Sequence, residues 1–218
     1  MSQAAVAMSR SEATEARILD AAAEQFAKRG LTGTRVREIA LAASVSPATL
    51  YIYFPSKTAL YQAVLDRGLQ PVAGVLDAID RDRPNADLAG LIEDLLRHLA
   101  AHPSLSRLIY VEAISEGPFL AHLARTWIGP LLERMTEMVR NGPAADEWPD
   151  EELPLLTASI LQVVFGPFAL AALLHETSGT DPLAPEALRR QTRFLLGYFE
   201  HLFPQPNPGS AGARPTGG

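Results

Sequence analysis

Cysteine is absent from all 218 residues, so the chain has no disulfide framework, no thiolate nucleophile and no thiolate metal site. Strand-like alternation of apolar and polar residues never persists for any length, which excludes a fold built on a sheet. A glycine-rich phosphate loop after a strand and a nucleophile elbow are also missing. Acidic neighbours such as Glu93 and Asp94, or Glu151 and Glu152, point to different helix faces and read as solvated charge. Neither an enzyme nor a cofactor is expected. Positive charge is scarce as well: 19 Lys and Arg stand against 25 Asp and Glu, a net charge of -6 that argues against general nucleic-acid affinity. The scarcity is uneven, because residues 1–67 hold eight basic and six acidic side chains and the remainder 11 basic and 19 acidic. The opening stretch, MSQAAVAMSRSEATEAR, lacks the apolar segment of a secretory signal. A cytoplasmic protein is expected, with residues 1–11 as a disordered arm.

What the chain does have is helical periodicity. A first helix is expected from about Glu12 to Arg29, with Ile18, Leu19, Ala22, Ala23 and Phe26 on its apolar face and Gly30 as its cap. The stretch TRVREIALAASVSPATLYIYFPSK, Thr34 to Lys57, then reads as two short helices around a tight turn. Thr34 is the expected cap of the first, whose apolar positions Val36, Ile39, Ala40 and Ala43 share a face. Ser46 caps the second, and Pro47 takes its first position, where a missing N–H is no loss. Ser56 is a third cap ahead of Lys57.

In a helix-turn-helix the N-terminal end of the second helix enters the major groove, where small side chains let the backbone approach the bases. Pro47, Ala48 and Thr49 are such residues, and Thr49 can bond a base or touch a thymine methyl. Tyr51 and Tyr53 carry phenols suited to phosphate oxygens, Lys57 adds a cation, and Arg35 and Arg37 are within reach of phosphates. Spacing alone leaves open the alternative that the tyrosines pack internally and the arginines are solvated charges.

Arg17 to Leu60 resembles the TetR family of bacterial transcriptional regulators, through RILDAAAEQFAKRG, then the VREIA stretch and its following VS, then ATLYIYFPSK. The resemblance implies an all-α protein: a three-helix DNA-binding head at residues 12–72, with its motif near 35–54, joined to a helical effector-binding and dimerisation domain at 73–203. It implies a homodimeric repressor with Thr34, Arg35, Arg37, Ser46, Pro47, Ala48, Thr49, Tyr51, Tyr53 and Lys57 at a palindromic operator of double-stranded DNA. A helix-turn-helix regulator without a small-molecule effector is the alternative. Three positions depart from the family pattern: Ser44 stands where glycine is usual, Pro47 where a basic residue is frequent, and Ile52 where an aromatic is frequent. The serine is expected at positive φ, at a cost of about 1 kcal/mol.

Beyond the motif, a linking helix is expected from Lys57 with Leu60, Val64, Leu65, Val72, Val75, Leu76 and Ile79 inward and a kink at Pro71, ending near RDRPNAD. Helices are then expected at about 87–101, 103–115, 118–140, 150–175 and 185–203, followed by a Pro- and Gly-rich tail at 204–218. Leu153 to Leu174 is a run of 22 uncharged residues, and its Thr157, Ser159, Gln162 and Gly166-Pro167 favour a buried core helix over a membrane span. No membrane partner is expected.

Tyr110, Phe119, His122, Trp127, Met135, Phe165 and Phe168 are the aromatic and soft residues expected to line an effector cavity, and their few charges point to a largely apolar ligand. Leu188, Leu195, Phe199 and Leu202 share one side of the last helix, with Gly197 allowing close approach, and are the expected dimer face. Asp94, His98 and His102 recur at i, i+4 and i+8, a spacing compatible with metal ligands, but a histidine near a helix C-terminus is also favoured by the dipole. No metal is expected.

Overall fold

The computed structural model describes residues 9–81, 88–141 and 147–202, and among these every regular element is a helix. Helix α1 spans Arg10–Gly33. It starts earlier than expected because Ser9 and Glu12 form a capping box: Ser9 Oγ accepts the Glu12 N–H at 3.2 Å and Glu12 Oε2 accepts the Ser9 N–H at 2.6 Å. Residues 9–11 of the expected arm are therefore part of the helix and its cap, and residues 1–8 lie outside the described residues. Gly30, at φ 68°, interrupts the helix where the glycine cap was expected.

That break determines what Thr34 does. Its hydroxyl donates to the carbonyls of Gly30 at 2.8 Å and Gln25 at 3.1 Å, and the residue is buried. It closes α1 rather than capping the next helix, α2 (Val36–Ala42), whose cap position is Arg35 with no side-chain bond. A threonine before an apolar-periodic segment looks like an N-cap in sequence, but carbonyls freed by the glycine break compete for the same hydroxyl. Helix α3 (Pro47–Tyr53) follows, with Ser46 Oγ accepting the Thr49 N–H at 3.0 Å. Ser56 Oγ accepts the Ala59 N–H at 3.0 Å to start α4, Lys57–Arg81. Helix α4 runs through Pro71. The expected inward residues Leu60, Val64, Leu65 and Val72 are buried on it, joined by Tyr61 and Leu69, while the side chains of Leu76 and Ile79 lie outside the described residues.

A first core forms among α1 to α4 around Ile18, Phe26, Ile39, Leu50, Leu60 and Tyr61. Two residues from beyond α4 plug into it, Leu108 and Phe119, so the head is built partly by the body. Helix α6 (Pro103–Ile114) supplies Leu108 and packs directly on α1. The second core surrounds α9 (Leu153–Ala169), against which α5 (Leu88–Ala101), α6 and α8 (Gly129–Arg140) lie. Leu153, Leu156, Thr157, Ile160, Val164, Phe165 and Phe168 of α9 are all buried. Among the described residues no single helix is long and apolar enough to cross a membrane.

Two expected helices are divided. The 118–140 segment consists of α7 (Leu120–Leu123), a π turn at Ala124–Ile128, and α8. Pro130 has no N–H for the carbonyl four residues back, and the Gly129 N–H reaches Ala124 O, one residue wide of α spacing. A Cβ on Gly129 would stand 2.7 Å from that carbonyl oxygen. The 150–175 segment bends by 69° at Leu170, past Pro167 rather than at it, giving α9 and α10 (Ala171–Ser178). Helix α11 (Pro185–Leu202) lies on α5.

Ser44 adopts φ 54°, as its place in the turn requires. Ser44→Gly is expected to raise unfolding free energy by about 1 kcal/mol, since only the glycine enters the left-handed region without strain. Thermal denaturation of both forms measures the difference.

Candidate nucleic-acid interface and cavity

The outward face of α3 carries exposed Ser46, Pro47 and Ala48, half-exposed Tyr51, and Ile52 at 81% exposure. Buried Leu50 and Phe54 root the helix in the head core. Arg35 and Arg37 are exposed at the start of α2, beside the ion pair of Arg29 and Glu38 at 2.5 Å. That hydrogen bond from Arg29 holds the Glu38 carboxyl below the usual carboxylate range.

The other sequence candidates are placed less simply. Thr49 is half-buried and its hydroxyl bonds Ser46 Oγ at 2.8 Å. Lys57 is half-buried with Nζ donating to Thr34 O at 3.1 Å, so it fastens the start of α4 to the end of α1. Tyr53 is half-buried, its Oη 3.2 Å from Ser11 Oγ. Thr34, buried, does not reach this face. Two residues that join it were missed: Ser11, which nothing in sequence marks, and Ile52, whose place between Tyr51 and Tyr53 was the available signal.

Behind the head lies a buried carboxylate. Glu112 of α6 accepts a hydrogen bond from Tyr61 Oη of α4 at 2.6 Å and another from the Phe119 backbone N–H. Burial, reinforced by Glu112, pushes the Tyr61 phenol up, so it stays a donor. A Cβ on Gly117 would stand 2.5 Å from the Glu112 carboxylate, so a side chain there would push that carboxylate from its present place. Tyr61 in turn meets Phe26 edge-on, with ring centroids 4.9 Å apart. A second tie holds α4 to α7 and the π turn: Asp66 Oδ1 accepts the Trp127 indole N–H at 2.8 Å and stands 3.1 Å from His122 Nε2.

A cavity of about 420 Å³ lies between α6, α7, the π turn and α9. Ile109, Tyr110, Ala113 and Ile114 of α6 form one wall. Leu120, Leu123, Ala124 and Ile128 form the second, and Leu161, Gln162 and Phe165 of α9 the third. Of the seven expected lining residues, only Tyr110 and Phe165 are there. Phe119 belongs to the head core, His122 and Trp127 turn to Asp66, and Phe168 and Met135 pack in the body core. Aromatic and soft residues were expected at the cavity, but the large apolar area of Phe119 and Phe168 draws them into the two cores.

The expected dimer face is also redirected. Leu195 is 1% exposed within a single subunit, Leu188 and Phe199 pack beside it on the body core, and the Leu202 side chain lies outside the described residues. Their spacing marks an inward face, and sequence alone does not say whether the neighbour is the same subunit or another. On the last three helices, large apolar side chains that remain exposed are Leu155 of α9, Leu170 at the cap of α10, Leu173 and Leu174 on α10, and Phe194 of α11 at 61%. Asp94 pairs with Arg97 and His98 Nε2 lies 3.0 Å from Gly68 O, so these and His102 form no metal-binding group among the described residues.

Residues 18–64 match the family model described as bacterial regulatory proteins, tetR family, and residues 84–197 match a tetracyclin repressor-like C-terminal domain. The transcriptional repressor SCO4008 of Streptomyces coelicolor is 37% identical over 106 residues, 49% of this chain and 53% of that protein. The transcriptional regulator RutR of Escherichia coli is 39% identical over 104 residues, 47% of this chain and 49% of its own. The chain thus spans about half the length of these curated relatives. The crystal structure of SCO4942 from Streptomyces coelicolor superposes with a TM-score of 0.57 at 32% identity, over 88% of this chain and 99% of that one.

Tyr61→Phe removes one donor from a buried carboxylate, and the expected cost is about 1–3 kcal/mol in unfolding free energy. Urea denaturation at neutral pH provides the value.

Proposed function

The chain belongs to the TetR family of bacterial regulatory proteins, and from that membership we propose that it is a homodimeric transcriptional repressor that leaves a palindromic operator when a small, largely apolar molecule fills its cavity. The observation that carries the DNA reading is the outward face of α3, where Pro47, Ala48 and Tyr51 stand exposed, with Arg35 and Arg37 exposed at the start of the preceding helix α2. Small residues admit the backbone to the major groove, and the arginines and the Tyr51 phenol hold phosphates. Thr49 turns toward the bases on release from Ser46, Tyr53 and Ser11 meet the backbone together, and Lys57 has donors left for a phosphate beyond the one on Thr34. Such a protein works on chromosomal DNA in the cytoplasm.

Dimerisation is supported by the apolar side chains left exposed on α9, α10 and α11. A two-fold pair presents two α3 helices, and a separation of about 34 Å matches successive major grooves. The functional division falls near residue 72, with the head before it and the effector-binding and dimerisation part at 73–203. The cavity favours control by a small molecule over control by a protein partner alone. Its second wall is fastened to α4 through Asp66, so a molecule that needs that wall displaced shifts the helix bearing the head.

Selection of bound duplexes from a random DNA library, with purified protein at fixed salt, is expected to return a palindrome; no enrichment at any salt contradicts the proposal. Arg37→Ala is expected to weaken binding evenly across sequences and reduce the salt slope by about 1. Leu173→Glu combined with Phe194→Glu is expected to give a monomer in sedimentation while the helical circular dichroism is kept.

A further inference from the structure

The ligand class of the cavity is written in what its walls lack. Of the lining residues only Tyr110 carries an ionisable group, and burial pushes its phenol up, so it is a neutral hydroxyl at physiological pH. No cation is present to pair a carboxylate and no carboxylate to pair an amine. The chain as a whole carries a net charge of -6, which adds a field unfavourable to anions. Hydrocarbon from Ile109, Leu120, Leu123, Ile128, Leu161 and Phe165 makes up the rest of the surface.

The polar exception is a pair. Tyr110 Oη donates to Gln162 Oε1, bridging α6 and α9 across the cavity. Gln162 is exposed and Tyr110 half-buried, so the pair is within reach of solvent as well as of the cavity. The bond uses the phenol's only proton and leaves the lone pairs of Tyr110 and the amide N–H groups of Gln162 for a ligand. Those are one acceptor and one donor, both uncharged.

We infer that this cavity takes an uncharged, mostly hydrocarbon molecule with one hydroxyl or carbonyl group, held by the Tyr110 and Gln162 pair, and that it discriminates against the matching carboxylate and amine. The inference rests on the effector reading of the cavity given above. The volume of about 420 Å³ lies in the lower part of the ~300–1,000 Å³ range of small-molecule sites, so the molecule is compact. A hydroxyl both donates and accepts and so satisfies the two free functions together. A carboxylate brings a charge that must shed water in the cavity with no cation to replace it.

The test is calorimetric titration of the full chain with two matched sets of probes: decanol, decanoate and decylamine, and naphthalenemethanol with naphthoate. The alcohols are expected to bind about tenfold or more tightly than the charged members, and Tyr110→Phe with Gln162→Leu, which leaves the charge penalty in place, is expected to weaken the alcohols about tenfold. Ala113→Phe, at an exposed lining position, fills the cavity without burying new bulk in a core, and it is expected to block binding. Charged probes that bind as tightly as the alcohols, and are still blocked by Ala113→Phe, overturn the ligand class while the effector site stands. Binding that survives Ala113→Phe, or no binding of any probe, overturns both.

Discussion

The junction between the two cores depends on a buried carboxylate. Glu112 is buried at the meeting of α4, α6 and the turn before α7, and a buried carboxyl group is tolerated only with its hydrogen bonds made. Its donors come from either side of the junction, Tyr61 Oη from the helix that carries the head and the Phe119 N–H from the segment that leads to the cavity wall. Gly117 lets the chain pass close enough for this, and Leu108, one turn earlier on α6, enters the head core. The two cores are therefore not independent bodies on a flexible link. Displacing α6 relative to α4 strips a hydrogen-bond donor from a buried carboxyl group, so the junction has a preferred arrangement rather than a continuum.

The two faces of α6 make that arrangement consequential. Leu108 and Glu112 look to the head, whereas Ile109, Tyr110 and Ala113 form the cavity wall. Across the cavity, the π turn is the weaker helical geometry, imposed by Pro130 and permitted by Gly129, and it holds Trp127 against Asp66 of α4. Two walls of the cavity thus each have a direct hydrogen-bonded connection to α4, the helix that follows α3. Differential affinity for two arrangements of those walls is all that regulation by a ligand requires.

Much of this was legible in the sequence wherever a signal is local. Ser46 with Pro47, Ser56, the positive φ of Ser44 and the glycine break at Gly30 are each dictated by one residue's own chemistry, and each is found where expected. The apolar faces of α1 and α2 followed from spacing for the same reason. What was not legible is decided by partners distant in sequence. Thr34 turns to carbonyls that only the break exposes, Lys57 is drawn to Thr34, and Leu195 faces inward because α5 lies against it. The cavity was misread through its large aromatics, since Phe119 and Phe168 serve cores, while the small Ala113 and Ala124 leave the space. Glu112 gave no signal at all, because a lone acidic residue on a helix is nearly always solvated.

The central claim is that cavity and DNA-binding face are coupled through α4, and the most direct measurement is the operator dissociation constant with and without saturating decanol, in the natural chain and in Asp66→Ala. Asp66 is half-buried at the second tie and is not among the residues lining the cavity. The account predicts that decanol weakens operator binding about tenfold or more in the natural chain and by much less in Asp66→Ala. An equal loss in both proteins would contradict it.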